Sequence, residues 1–146
     1  GNEDYVANID LIETFNYLIG LKVKVNNVME YFTVEKDTSS KLPNALKLKK
    51  SDAKKSDYKF KEIEGETLKG EKVLIIWRTM TDDMKQDNAA LDAYFSKRNY
   101  NTQDFEFDRI YVNCDNNLEN LKIDEMRWKV TLIEQEFKKK MFESKL

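Results

Sequence analysis

Two adjacent residues near the middle of the chain could bind an anion. Trp77 and Arg78 close the apolar run KVLIIWR, which begins at Lys72. A guanidinium can hold a carboxylate or a phosphate through two parallel hydrogen bonds. The same pair can instead be structural, because a strand-end arginine also pairs with a nearby acid or lies along an aromatic ring. The sequence therefore offers Trp77 and Arg78 as an anion or interface contact and leaves the structural role open.

A run of lysines is the second candidate site. The stretch Lys41–Lys61 holds eight lysines against Asp52 and Asp57, so eight minus two leaves six excess positive charges. Lysines displace counterions from a nucleic-acid backbone, which makes the stretch a candidate for phosphate contact. The candidate DNA-backbone contacts are Lys47, Lys49, Lys50, Lys54 and Lys55. The alternative is a solvated surface segment with no binding role.

The same region is predicted to be irregular. Residues 36–57 contain Pro43, the only proline, and show little apolar periodicity. We therefore predict a Lys-rich surface loop over 36–57.

Several catalytic arrangements are excluded by composition. The chain has no histidine, and Cys114 is its only cysteine, which we predict to be a strand-end or small core residue. Ser-His and Cys-His nucleophiles and an intrachain disulfide are therefore impossible. The four glycines lie too far apart for a phosphate loop, and Asp82 and Asp83 are explained as charges at a helix start. The sequence accordingly names no catalytic, cofactor-binding or metal-ligating residue.

The totals describe one domain over 1–146. Charged residues make up 36 % and hydrophobic residues 40 % of the 146 residues, as is typical of a cytoplasmic protein without a membrane segment. The net charge of −2 argues against a dedicated nucleic-acid binder. Because the chain starts at Gly1 rather than at a methionine, we expect it to be a fragment of a larger protein.

The element that must position these residues is a strand-helix-strand unit over 72–113. The apolar run predicts a strand covered on both faces, and Thr81 is the predicted N-cap of the helix that follows. The inner face of that helix is predicted to hold Met84, Leu91, Tyr94 and Phe95. With IYV as the second strand, the unit predicts a parallel crossover. The fold class is therefore α/β, a small mixed sheet flanked by an N-terminal and a C-terminal helix.

The flanking elements follow from local patterns. We predict a helix over Asn8–Gly20, then either a hairpin turning at Asn26-Asn27 or one longer bent strand. Tyr58, Phe60 and Ile63, set among Lys59, Lys61 and Glu62, predict an antiparallel neighbour of the central strand, entered through bends at Gly65 and Gly70. RWKVTLI, with Trp128 among its apolar residues, predicts a last strand before a closing helix whose inner face carries Ile133, Phe137 and Met141. One continuous helix from Asp124 is the alternative.

Several segments, in order, resemble the C-terminal region of the modification (Mod) subunits of type III restriction-modification systems. The resemblance begins with NIDLIETFNYLIGLKVK at Asn8–Lys24 and continues with YKFKEIEGETLKGEKVLIIWRT, FDRIYVNCD and KVTLIEQEFKKKMFE. It covers Asn8 to Glu143, apart from the insert at 35–57.

The resemblance implies a part of an adenine-specific DNA methyltransferase that lies beyond its catalytic domain. The DPPY-type and FxGxG-type motifs, which hold adenine and S-adenosylmethionine in that family, are missing from this chain. No catalytic or cofactor residue is therefore carried over, and S-adenosylmethionine is expected only in the parent enzyme. The implied partners are a second Mod subunit and the restriction (Res) subunit, with DNA as the alternative through the Lys41–Lys61 segment.

Overall fold

The computed structural model describes residues 9–100, 106–114 and 130–143 of the chain. Three helices and seven strands lie in these ranges. The helices are α1 (Ile9–Leu18), α2 (Met84–Lys97) and α3 (Ile133–Glu143). The strands are β1 (Leu21–Asn26), β2 (Glu30–Lys36), β3 (Leu46–Lys50), β4 (Tyr58–Thr67), β5 (Lys72–Arg78), β6 (Arg109–Val112) and β7 (Val130–Leu132).

All seven strands form one mixed sheet. Its order is β3-β2-β4-β5-β6-β7, and β1 also pairs with β4. The pairs β5/β6 and β6/β7 are parallel, whereas the others are antiparallel. The predicted α/β class, the crossover through α2 and the antiparallel neighbour of β5 are all confirmed.

Strand β5 lies at the centre because both of its faces are apolar. Leu74 and Ile76 belong to the core cluster under α2, whereas Ile75 and Trp77 belong to the cluster that also contains residues of α1 and α3. Each of these four side chains is fully buried. The sheet is therefore the middle layer between α2 on one face and α1 and α3 on the other, as a continuous apolar run predicts.

The hairpin prediction at Asn26-Asn27 is wrong, and the bent-strand alternative describes the chain better. Strands β1 and β2 pair with successive parts of the same edge of β4, with Asn26 opposite Ile63 and Glu30 opposite Phe60. The Asn27 N–H donates to the Glu62 carbonyl at 3.1 Å, so the connecting residues stay on β4 instead of turning back.

The surface-loop prediction for 36–57 is wrong over six of its residues, because Lys36 ends β2 and the five residues of β3 lie inside the range. Leu46 and Leu48 alternate with Lys47 and Lys49, a two-residue period that the many lysines obscure. Leu46 and Leu48 pack against the core under α2 and so hold β3 on the sheet.

The start of α2 differs from its prediction by two residues. Asp83, not Thr81, is the N-cap, and its carboxylate accepts from the Gln86 N–H at 3.1 Å. Met84 follows this N-cap directly as the first residue of the helix, and its side chain is 49 % exposed. Leu91, Tyr94 and Phe95 are buried as predicted; the inner-face prediction for Met84 is wrong.

Two glycine predictions have different outcomes. Gly70 adopts φ +85° in the tight turn between β4 and β5, as a bend requires. Gly65 instead lies inside β4, opposite Val23 of β1 and Val73 of β5, so the predicted bend there is wrong. Gly20, where the predicted first helix ends, has φ +65°, the left-handed conformation that commonly follows a helix.

The C-terminal elements follow the strand-then-helix prediction. Val130–Leu132 forms β7, so the continuous-helix alternative is wrong there, while Trp128 lies outside the described residues. Ile133 is buried and Phe137 packs against the core, as predicted for the inner face of α3. Met141 is 43 % exposed, so its inner-face prediction is wrong.

None of the helices that the structure describes combines the length and the apolar character needed to cross a membrane.

Candidate functional site

Arg78 lies inside the protein, where it joins three elements. Its side chain is 1 % exposed, Nε donates to the Asn113 carbonyl at 3.3 Å, and Nη1 donates to the Asp87 carbonyl at 3.3 Å. The Arg78 N–H donates to the Asn113 side-chain oxygen at 2.8 Å, and the Asn113 side-chain amide donates to the Arg78 carbonyl at 2.9 Å. Burial lowers the pKa of Arg78. Arg78 therefore fixes the ends of β5 and β6 against the start of α2, which is the structural role that the sequence left open.

Trp77 points to the opposite face of β5. It packs edge-on against Phe15 of α1, with 6.0 Å between the ring centroids. Together with Leu11, Ile133 and Phe137 it lines a small apolar pocket of about 240 Å³ between α1 and α3. Trp77 and Arg78 are thus separated by the sheet and do not form one clamp.

Asp87 is a buried carboxylate that sequence reasoning missed. It is 1 % exposed and accepts hydrogen bonds from Tyr58 OH at 2.5 Å, from Thr81 OH at 2.6 Å and from the Thr81 N–H at 3.0 Å. Burial and this bond to Asp87 raise the pKa of Tyr58 above its ordinary value. The network anchors α2 to β4, and its signal in the sequence was only an acid in a first helical turn.

Glu62 is a second buried carboxylate, although the sequence pattern set it among the polar residues of β4. It is 2 % exposed and accepts from Tyr94 OH at 2.5 Å and from Tyr100 OH at 2.8 Å. Arg98 lies 3.5 Å from its carboxylate and bridges to Glu30 at 2.5 Å. A strict two-residue period from Tyr58 and Phe60 would have found Glu62.

Cys114 lies two residues beyond the end of β6, close to the predicted strand-end position. Its backbone has φ +65°, and its N–H donates to both carboxylate oxygens of Glu134, at 2.8 and 2.9 Å. Burial and the Glu134 charge raise the pKa of the thiol to about 11. The thiol is therefore protonated at neutral pH and is a poor nucleophile.

The candidate lysines do not form one patch. Lys47 and Lys49 lie on one face of β3, opposite Glu35 and Thr33 of β2. Lys50 lies on the other face, with its ammonium 3.6 Å from Glu30. The structure therefore brings together Lys47 and Lys49 and separates Lys50 from them.

The remaining two lysines lie beyond the strand. The backbone N–H groups of Lys54 and Lys55 both donate to the Asp52 carboxylate at 3.0 Å, in the turn that follows β3. Asp52 thus shapes this turn through the backbone.

A groove of about 720 Å³ opens between β3 and α2. One wall is β3 with the segment 37–45 that precedes it, and the other wall is one face of α2. The α2 residues that line the groove share a face by their three- and four-residue spacing. They are Lys85, Asn88, Ala89, Asp92, Ala93, Ser96 and Lys97. Sequence reasoning missed this groove because it depends on how closely α2 approaches β3.

Two polar side chains in the groove wall lack the hydrogen bonds or the opposite charge that would offset the cost of their burial. The Asn88 side-chain oxygen is buried and has no hydrogen-bond donor among the described residues. Burial raises the pKa of Asp92 to about 6, and the Arg78 charge opposes this rise only in part. Groups that cost stability often mark binding sites, so both point to the groove.

We expect Asp92→Asn to stabilise the protein above about pH 6. The unfolded chain ionises Asp92 near 3.8, whereas the folded protein keeps the proton to about pH 6. The unfolded state therefore gains stability relative to the folded state as the pH rises through this window, and the penalty is complete above it. After allowance for partial solvent access, the gain should be about 1–2 kcal/mol near pH 8 and should vanish below the unfolded-state value.

Urea unfolding at both pH values measures this effect, and Glu13→Gln, at an exposed position of α1, is the matched control. An equal gain from Asp92→Asn at low and high pH would contradict the expectation.

No group of three or more acidic or cysteine side chains that could hold a metal ion occurs within residues 9–100, 106–114 and 130–143. Comparison of the chain with protein-family models, with curated proteins and with solved structures gives no match.

Proposed function

We propose that this chain is a non-catalytic docking domain that holds a protein partner, and that it belongs to the C-terminal region of an adenine-specific DNA methyltransferase of a type III restriction-modification system. The partner is a second Mod subunit or the Res subunit, and the assembly works in the cytoplasm. The ordered sequence resemblance supports the choice of parent enzyme. The observation that carries the docking role is the open groove between β3 and α2.

The groove suits a protein partner better than a small molecule. It is long and open, one wall is the outermost strand of the sheet, and Ala89 and Ala93 leave room on the other. Leu42 at its rim is 69 % exposed, and Leu46 and Leu48 are only partly buried. Exposed apolar side chains beside an open strand are typical of surfaces that bind another chain.

The chemistry of methyl transfer then belongs to the rest of the parent enzyme. S-adenosylmethionine would bind there, since the motifs that hold it in the family are missing from this chain. This chain's part is to hold the catalytic subunit in the assembly.

Light scattering after size-exclusion chromatography tests the proposal. The chain is mixed with the Mod and Res subunits of its own system, and we expect a complex with one of them. Ala89→Arg and Ala93→Arg should each weaken that complex by about tenfold or more, because a long cationic side chain fills the groove. Gln135→Arg, at an exposed position of α3, is the matched control and should leave it unchanged.

Full binding by both groove variants would contradict the docking role of the groove. Methyl transfer by this chain alone would contradict the proposal as a whole.

DNA-backbone contact is the second candidate function, and one observation favours it. Lys47 and Lys49 share a face of the sheet with Lys59, which pairs with Tyr31. Three lysines beside an aromatic ring suit a phosphate backbone.

For this candidate we expect gel shifts with duplex DNA to weaken steeply with salt. The variant Lys47→Ala/Lys49→Ala should lower the salt slope by about two, the number of contacts removed. The control variant Lys54→Ala/Lys55→Ala removes the same number of charges from the turn after β3, keeps the backbone bonds to Asp52, and should leave the slope unchanged. Binding that is weak and unchanged by Lys47→Ala/Lys49→Ala would exclude this function.

A further inference from the structure

The outer edge of β3 offers backbone hydrogen bonds to another strand. The Asp37 N–H donates to the Ala45 carbonyl and the Ser51 N–H donates to the Tyr31 carbonyl, both at 2.9 Å. Residues 45 and 51 thus point their backbone groups toward β2, and in an antiparallel pair this direction alternates with each residue. Leu46, Leu48 and Lys50 therefore point theirs away from the sheet. Among the described residues no strand pairs with this edge.

The groove beside this edge has the dimensions of one added strand. β3 has five residues, which corresponds to about 17 Å of extended chain. On α2, Lys85 and Lys97 stand twelve positions apart, which corresponds to about 18 Å of helix. Between them Ala89 and Ala93 leave room for side chains that point inward from an added strand.

The groove wall also offers partners for a peptide. Asn88 lies in this wall, and its buried side-chain oxygen has no donor among the described residues. Leu42, Leu46 and Leu48 supply apolar contacts on the opposite side. An extended peptide with alternate apolar side chains would meet both walls.

The charged side chains around β3 favour a peptide with a negative net charge. The stretch Lys41–Lys61 carries six excess positive charges, although the whole chain has a net charge of −2. One of its two acids, Asp57, already accepts the Val34 N–H at 2.9 Å. The groove itself is lined by Lys47, Lys85 and Lys97 against Asp37 and Asp92, so three minus two leaves one excess positive charge in its lining. Two copies of this edge would repel each other, which disfavours pairing of β3 with β3 in a second copy of the chain.

We propose that the outer edge of β3 and the α2 groove together bind an extended, acidic peptide segment of the partner, which adds an eighth strand to the described sheet. This inference rests on the proposed docking function and names the chemistry of its ligand. The backbone bonds to Leu46, Leu48 and Lys50 supply affinity. The lysines reject basic segments and second copies of β3, so they supply specificity.

A synthetic peptide tests the inference directly. The probe is a capped, fluorescein-labelled peptide of about seven residues that alternates glutamate and valine, titrated with the full chain and followed by fluorescence anisotropy. We expect it to bind at least about tenfold more tightly than the same peptide with lysine in place of glutamate. Raising the salt concentration should reduce the difference, because the lysines are exposed.

N-methylation of alternate amides tests the strand geometry. Two registers of methylation exist, and only one removes the N–H groups that face β3. We expect that register to lose binding by about tenfold or more and the other to keep it. Equal binding by the two registers would overturn the added strand.

Variants of the chain complete the test. Lys47→Glu/Lys49→Glu should weaken the acidic peptide by about tenfold, whereas Lys138→Glu/Lys139→Glu, at exposed positions of α3, should not. Equal binding of the acidic and basic peptides, or no binding at millimolar peptide, would overturn the inference. If a cognate subunit still docks through the groove in that case, the inference fails and the proposed function stands; if the subunit does not bind either, both fail.

Discussion

Glu62→Ala is expected to lower the free energy of unfolding by about 3–5 kcal/mol, because it leaves several donors without their acceptor and each buried one costs about 1–3 kcal/mol. Three donors depend on this carboxylate: Tyr94 OH at 2.5 Å, Tyr100 OH at 2.8 Å and the Asn27 side-chain amide at 3.2 Å. Tyr94 is fully buried, so its hydroxyl cannot turn to water once the acceptor is gone. Arg98 loses one of its two carboxylates and keeps Glu30 at 2.5 Å.

The substitution should act on three elements at once. Glu62 lies in the middle of β4, Tyr94 lies on α2, and Asn27 lies in the connection between β1 and β2. Removing the carboxylate loosens the connection that keeps β1 and β2 on the same edge of β4. We therefore expect a lower urea midpoint together with weaker amide-exchange protection in β1 and β2.

Two variants separate the causes. Glu62→Gln keeps the size of the side chain and one acceptor, so it should cost about 1–2 kcal/mol. Glu64→Ala is the control in the same strand: burial and the nearby Glu62 charge raise the pKa of Glu64, so loss of its charge should be neutral or slightly stabilising. A cost for Glu62→Ala no larger than that of Glu64→Ala would contradict the network.

The contrast between Glu62 and β5 shows which parts of the fold are predictable. The strand KVLIIWR was predictable because its signal is local: consecutive apolar residues need cover on both faces. Glu62 follows Tyr58 and Phe60 at two-residue spacing, but a charged side chain in a strand is expected to be exposed to solvent. Its burial depends on Tyr94, Tyr100 and Arg98, which lie 32 to 38 residues further along the chain.

The candidate site was predictable only in part, for the same reason. The density of lysines near Lys47 is visible in the sequence, but β3, which places Lys49 and Lys50 on opposite faces of the sheet, was predicted as a loop. The groove was missed entirely, because it is formed by two elements that are distant in sequence and meet only after the β5-α2 connection folds. Asp92 gave no signal, since its raised pKa comes from burial beside β3.

Gly65→Ala is expected to cost about 3 kcal/mol, at the upper end of what overpacking usually costs, because the new methyl group would meet backbone. A Cβ at this position would lie 2.4 Å from the Lys22 carbonyl oxygen and 2.8 Å from two side-chain carbons of Leu21. Leu21 can move to another rotamer, but the Lys22 carbonyl belongs to β1 and can yield only if β1 shifts away from β4. Gly70→Ala is the matched control. Its Cβ would make only an ordinary contact, with Glu66 Oε1 at 3.8 Å, while its φ of +85° strains any L side chain by about 1 kcal/mol. Urea unfolding of both variants separates steric clash from backbone strain, and loss of amide-exchange protection confined to β1 would locate the clash. A Gly65→Ala cost equal to or below that of Gly70→Ala would show that β1 can leave β4 freely, and that the close contact does not set the position of β1 on the sheet.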